Sequence, residues 1–171
     1  RGKHQSLQPM TLPANKEVVL DDIKGNAMEI KVVIAKPRTS MFELCVLRSP
    51  DKEEYTRIMY YPMRGLLNQR RFGRSGPQEG LLSIDSSYST TSDRVMCRAP
   101  ETGPVQLDNG EDLTLRVFID RSVVEVFAND KQCLAIRVFP KRADSIGVSL
   151  RSQGQETQVK SLDAWEMKSI W

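Results

Sequence analysis

Hydrophobic alternation with a period of two runs through most of this chain and restricts it to sheet architectures. Met28, Ile30, Val32 and Ile34 share one parity, with Glu29 and Lys31 between them. Phe42, Leu44 and Val46 repeat the pattern, as do Leu113, Leu115, Val117 and Ile119 set against Thr114, Arg116 and Asp120. Val124 and Val126 follow, then Leu134, Ile136 and Val138, then Ile146, Val148 and Leu150. Successive strand side chains point to opposite faces, so one parity is buried while the other meets water. Half-buried antiparallel strands read this way, whereas parallel strands, covered on both faces, read as continuous apolar runs.

The breaks between runs carry turn chemistry: Lys36-Pro37-Arg38, Ser49-Pro50-Asp51, Asp108-Asn109-Gly110 and Asn129-Asp130-Lys131. Asp120-Arg121-Ser122 separates two strong strands, and an Asx-type turn there would let the Asp120 carboxylate accept a backbone N–H two residues on. No stretch reads as an amphipathic helix. A sheet with one apolar face and no helix to cover it must bury that face against a second sheet. The expected fold class is therefore all-β, a two-sheet antiparallel β-sandwich of the concanavalin-like jelly-roll kind.

A length of 171 residues suits one domain, large enough to fold without disulfides or metal. Residues 1–16 are polar, contain Pro9 and Pro13 and show no periodicity, so they read as a linker or N-terminal arm leading into a sandwich over 17–171. The start at Arg-Gly-Lys, without Met or signal peptide, reads as a processed product or an excised piece. Residues 62–80 and 86–104 read as long loops or irregular edge strands, the places where a sandwich carries binding function.

Composition narrows the chemistry. His4 is the single histidine and lies in the polar arm, so a Ser-His-Asp, Cys-His or multi-histidine zinc site would have to be built on it. Cys45, Cys97 and Cys133 are widely spaced and odd in number, which fits free thiols better than a disulfide framework or a zinc pattern. Twenty-five Lys and Arg nearly balance 22 Asp and Glu, giving +3, and the basic residues are scattered apart from Arg70, Arg71 and Arg74. Neither a basic stripe nor an aromatic–basic motif points to nucleic acid. No apolar run reaches the ~18 residues of a membrane span. No cofactor or metal is expected.

Among the acids, Glu125 stands out inside the apolar run Val-Val-Glu-Val-Phe, where its parity is that of a cross-strand partner or a solvated face. Asp120 and Asp85 read as turn residues. Arg71-Phe72-Gly73-Arg74-Ser75-Gly76 lacks the order of a phosphate loop and reads as a surface loop with a secondary potential for sugars or anions. Tyr55, Tyr60, Tyr61 and Tyr88 could stack on sugar rings or simply line the sheets. Trp165, alternating with Met167, reads as core, and Trp171 as an exposed end or a staple on the last strand.

The segment Leu115-Arg116-Val117-Phe118-Ile119-Asp120-Arg121-Ser122-Val123-Val124-Glu125-Val126-Phe127 closely resembles a signature of glycoside hydrolase family 32, which contains invertases, inulinases, levanases and fructan exohydrolases. Ile136-Arg137-Val138-Phe139-Pro140 resembles the family's next strand, the stretch 162–171 its final strand, and Leu82-Ser83-Ile84-Asp85-Ser86-Ser87-Tyr88-Ser89 a strand ending in Asp and serines. The signature belongs to the C-terminal β-sandwich module, and the resemblance spans roughly residues 17–171. One departure is Lys131, where relatives often carry Gly. The family's catalytic motifs, a W-M-N-D-P-N-G-like nucleophile segment, R-D-P and E-C, do not occur: Arg48-Ser49-Pro50-Asp51 is not R-D-P, and Leu44 separates Glu43 from Cys45.

The resemblance thus implies a non-catalytic accessory sandwich of a β-fructofuranosidase-type hydrolase. It implies as partners the propeller catalytic domain of the same parent, a fructan or other oligosaccharide, and a second copy at a dimer contact. It also favours a secreted or periplasmic home. Arg121, Glu125, Tyr60 and Arg71 are the candidate docking or carbohydrate contacts. With its partner removed, one surface is expected to be flatter and more apolar than a free domain requires. The rival reading is an autonomous lectin-like module binding sugar through its long loops. A free-standing hydrolase with another carboxylate pair is a third.

Overall fold

The computed structural model describes residues 1–37, 39–63, 78–96 and 98–168. Two antiparallel sheets stack face to face, and no helix is found among the described residues. One sheet, sheet A, contains β1 (His4–Leu7), β2 (Met10–Leu12), β4 (Ala27–Ile34), β9 (Leu113–Asp120), β10 (Val123–Ala128), β11 (Gln132–Arg137) and β13 (Thr157–Glu166). Its order is β1-β13-β4-β9-β10-β11, with β2 also paired to β13. Sheet B contains β3 (Glu17–Lys24), β5 (Met41–Arg48), β6 (Thr56–Tyr61), β7 (Gln78–Asp85), β8 (Glu101–Leu107) and β12 (Gly147–Gln153) in the order β3-β12-β5-β6-β7-β8.

The core between the sheets is built from the predicted parities. Met28, Ile30, Val32 and Ile34 of β4, Leu113, Leu115, Val117 and Ile119 of β9, and Val124 and Val126 of β10 are all buried. They face Phe42, Leu44 and Val46 of β5 and Val148 and Leu150 of β12 in one continuous cluster. Full burial of each such side chain contributes roughly 1.5–3 kcal/mol, the main term holding the layers together.

Within residues 1–16, read as a linker or N-terminal arm, His4 to Leu7 pair with Trp165 to Leu162, and Met10 to Leu12 pair with Val159 to Thr157. These are edge strands held by backbone bonds, and their half-exposed side chains need no alternation. On β5, outward-facing Glu43 and Cys45 are buried as well as the inward set. β5 is central, and Cys45 lies between Ser149 of β12 and Arg57 of β6. Trp165 is not core. A one-residue register shift between Val159 and Ser161 swaps the parity of β13, so Leu162 and Ala164 point inward and Trp165 outward.

The β9–β10 connection has two residues, with Val123 opposite Asp120 and Arg121 at φ +51°. Its expected Asp120 side-chain bond is absent; instead the Arg121 N–H donates to the Asn26 carbonyl at 2.6 Å. At β10–β11 the left-handed conformations fall on Asn129 and Asp130, at φ +49° and +53°. Asn is among the residues that tolerate this region best, and Lys131 follows without needing to be glycine.

Candidate functional site

Two polar assemblies stand out, one at an end of the sandwich and one on the outer face of sheet A. The first is centred on Glu54, in the β5–β6 connection, whose surface is fully buried. Its Oε1 accepts from the Thr91 N–H at 2.7 Å, the Thr91 hydroxyl at 3.0 Å and the Lys141 N–H at 3.1 Å. Its Oε2 accepts from the Arg142 N–H at 3.0 Å and the Ser145 hydroxyl at 2.7 Å. Burial pushes its pKa up, but the Ser145 hydroxyl and the backbone N–H donors outweigh burial and hold it at about 2. One carboxylate therefore ties three connections into a single end: β5–β6, β7–β8 and β11–β12. Arg142 reinforces the tie, reaching Asp51 at 2.6 Å, Glu53 at 2.8 Å and Asp144 at 2.8 Å. Tyr55, next to Glu54, stacks on Tyr88 with centroids 5.2 Å apart.

The second assembly crosses β13, β4, β9 and β10 as an open groove of about 700 Å³. At its floor Glu29, 1% exposed, is held by three charged hydrogen bonds. Arg1 grips both carboxylate oxygens, through Nε at 2.8 Å and Nη2 at 2.7 Å, and Arg116 Nε adds a third bond at 2.7 Å. Such bidentate pairing is what makes a buried carboxylate tolerable. Trp165 lies flat against His4, centroids 4.9 Å apart, with the Arg1 guanidinium 4.3 Å from its ring. His4 Nε2 also meets Asp163 at 2.9 Å. At the far end Glu111 accepts from Lys131 and Asn129, which hold its pKa at about 2.

The sequence-derived candidates do not converge. Arg121 is exposed at the tip of the β9–β10 hairpin. Glu125 projects from the outer face of β10, half-buried, opposite Phe118 and Ala135 rather than a cation. Tyr60 is a correction: at 0% exposure in sheet B its ring is part of the core, its hydroxyl has no hydrogen-bond partner among the described residues, and it offers no face to a sugar or a docking surface. Arg71, with Arg70, Arg74, Cys97 and Trp171, lies outside the described residues. Glu29, Lys31, Arg116 and Glu54 were not singled out from sequence. Glu29 had one available signal, since it interrupts an apolar strand just as Glu125 does.

By architecture this is a two-layer antiparallel sandwich whose buried acids are spent on fixing loops and strands. The sequence profile described as "Glycosyl hydrolases family 32 C terminal" matches residues 1–166, and the chain belongs to that family. Levanase of Bacillus subtilis is 29% identical over 174 residues, covering 100% of this chain and 23% of that protein. Beta-fructofuranosidase, insoluble isoenzyme 1, of Daucus carota is 33% identical over 173 residues, covering 98% and 26%. Fructan 1-exohydrolase IIa from Cichorium intybus shares the fold with a TM-score of 0.83 at 19% identity, over 99% of this chain and 36% of that one. The chain thus spans about a quarter of the length of these curated relatives.

Proposed function

We propose that this chain is the accessory, non-catalytic sandwich of a family 32 glycoside hydrolase acting on β-fructofuranosidic bonds, and that its partner is the catalytic domain of the same protein. The observation that carries this reading is the family match across nearly the whole chain, set against relatives of which the chain spans only a quarter.

The chemistry of the acids supports it. A glycosidase requires a proton donor with a raised pKa beside a second carboxylate. Every acid here whose pKa is displaced is displaced downward: Glu17, Asp51, Glu54, Asp85, Glu111, Asp112 and Asp144. These groups are held as anions by arginines, lysines, hydroxyls and backbone N–H groups, the opposite of what a general acid needs.

The docking surface is the loop end organised by Glu54. Tyr88, 52% exposed, and Phe139, 46% exposed, sit on the two connections that its carboxylate pins. Fixing apolar side chains on rigid loops removes the entropy cost of ordering them on contact. The test is turnover of sucrose, inulin and levan by the purified 171-residue chain. No release above buffer controls is expected. Turnover abolished by substituting one of this chain's own acids would reject the reading.

A further inference from the structure

The geometry points to a carbohydrate-binding groove on the outer face of sheet A, taking a short fructan segment between Lys31, Arg116 and Phe127. The choice of fructan rests on the family reading above; the groove itself does not.

Arg116 spends only its Nε on Glu29, at 2.7 Å, and its guanidinium lies 5.0 Å from the Phe118 ring; among the described residues its terminal nitrogens have no hydrogen-bond partner. Lys31, exposed on β4 in register with Arg116, has neither a hydrogen bond nor an ion pair among the described residues. On the acceptor side, Asp163 uses one oxygen for His4, and the other has no hydrogen-bond partner among the described residues. Phe127 stands edge-on to Phe118, with centroids 5.9 Å apart and planes at 88°, and lines the same groove.

These groups select their ligand class by what they exclude. Cations alternate with Glu29, Asp163 and Glu111, so a multiply charged anion gains no net attraction along the floor. An apolar ligand would strip water from Lys31 and Arg116 without replacing it. A sugar hydroxyl both donates and accepts, so neighbouring hydroxyls can bridge a guanidinium and a carboxylate at once, while the ring C–H groups rest on Phe127. A groove of about 700 Å³ suits a ligand of two or three rings. The floor is also preorganised: the Arg1–Glu29–Arg116 bridge fixes the Arg116 plane before any ligand arrives, lowering the entropy cost of binding.

The experiment is titration of the isotopically labelled chain with 1-kestose and with maltotriose, read by amide chemical shifts. Saturable binding of 1-kestose with Kd on the order of 1 mM is expected, with shifts confined to β4, β9, β10 and β13. Lys31→Ala should weaken it about tenfold, since one charged hydrogen bond is lost from an exposed site that does not support the fold. Arg116→Lys keeps a cation beside Glu29 but removes the planar fork, and should also weaken binding while the amide spectrum stays native. Lys24→Ala on sheet B should change nothing. Absence of saturable 1-kestose binding, affinity unaffected by both groove variants, shifts centred elsewhere, or equal affinity for maltotriose would each overturn the assignment. None of those results bears on the inertness toward sucrose, inulin and levan that tests the accessory reading.

Discussion

Glu54→Gln is nearly isosteric and removes only a charge, yet it should destabilise this domain more than most core truncations of a single methylene. In the wild type all five surrounding groups donate to the two oxygens. A glutamine must turn an NH2 toward some of them. Its best arrangement places the amide nitrogen where Oε2 was, lets the Ser145 hydroxyl rotate to accept, and leaves the Arg142 N–H without a partner. A buried orphaned donor costs about 1–3 kcal/mol, before counting the lost charge on the remaining bonds.

Linkage gives an independent magnitude. The pKa of Glu54 is displaced from 4.5 to about 2, equivalent to about 3 kcal/mol of stabilisation of the ionised form. The folded pKa is the lower one, so this stability is fully present above the unfolded value of 4.5 and disappears as pH falls through about 2. Urea unfolding followed by tryptophan fluorescence should therefore show the variant about 3 kcal/mol less stable at pH 7, a Tm loss of roughly 6–12 °C. The gap should narrow progressively between pH 5 and pH 2. Glu17 and Glu111, also held at about 2, titrate in both proteins and cancel in the difference. A variant within ~0.5 kcal/mol of wild type at pH 7 would refute the reasoning, as would a gap independent of pH.

The remaining predictions concern sheet B and the thiols. A Cβ on Gly80 would lie 2.5 Å from Tyr60 Cζ and 2.6 Å from Cε2, so Gly80→Ala should cost about 1–3 kcal/mol by chemical denaturation. At Gly103 the obstacle is the end of the Gln132 side chain, which can move, so Gly103→Ala should cost less than about 1 kcal/mol. Tyr60→Phe should be neutral or stabilising by up to ~1 kcal/mol, because the buried hydroxyl has no partner among the described residues, whereas Tyr60→Ala should cost about 3–5 kcal/mol. Burial pushes the Cys45 thiol up to about 12, so maleimide labelling mapped by peptide mass should modify exposed Cys133 in the native protein and Cys45 only after unfolding.

The inner faces were legible because their signal is local. Leu113, Leu115, Val117 and Ile119 are two residues apart, and their burial follows from one pleated strand meeting one apolar layer. What the sequence did not disclose depends on partners far along the chain. Glu54 sits in Asp51-Lys52-Glu53-Glu54, which reads as a solvated turn; its donors come from residues 91, 141, 142 and 145, and no local pattern distinguishes it from Glu53. Alternation with Met167 marks Trp165 as apolar but does not say which parity faces the core; the register shift after Val159 decides that, because one extra residue reverses every later side chain.

Glu29 and Glu125 make the sharpest comparison. Each is an acid inside an apolar strand and each points out of the sandwich. Both lie across from Phe118 on β9. Their second neighbours decide the outcome. β4 is central, and its other flank, β13, brings Trp165 beside Glu29 and with it the cover of His4 and Arg1. β10 is flanked by the edge strand β11, which offers Glu125 only Ala135. The same residue pattern therefore gives a buried, doubly bridged anion at the middle of the sheet and a half-exposed one near its edge. Strand order, which no single strand encodes, determines which acid becomes the floor of a groove. It follows that Glu29→Gln should perturb the Arg1 and Arg116 resonances and weaken sugar binding, whereas Glu125→Gln should leave both unchanged. Equal effects of the two substitutions would mean that position in the sheet does not organise this face.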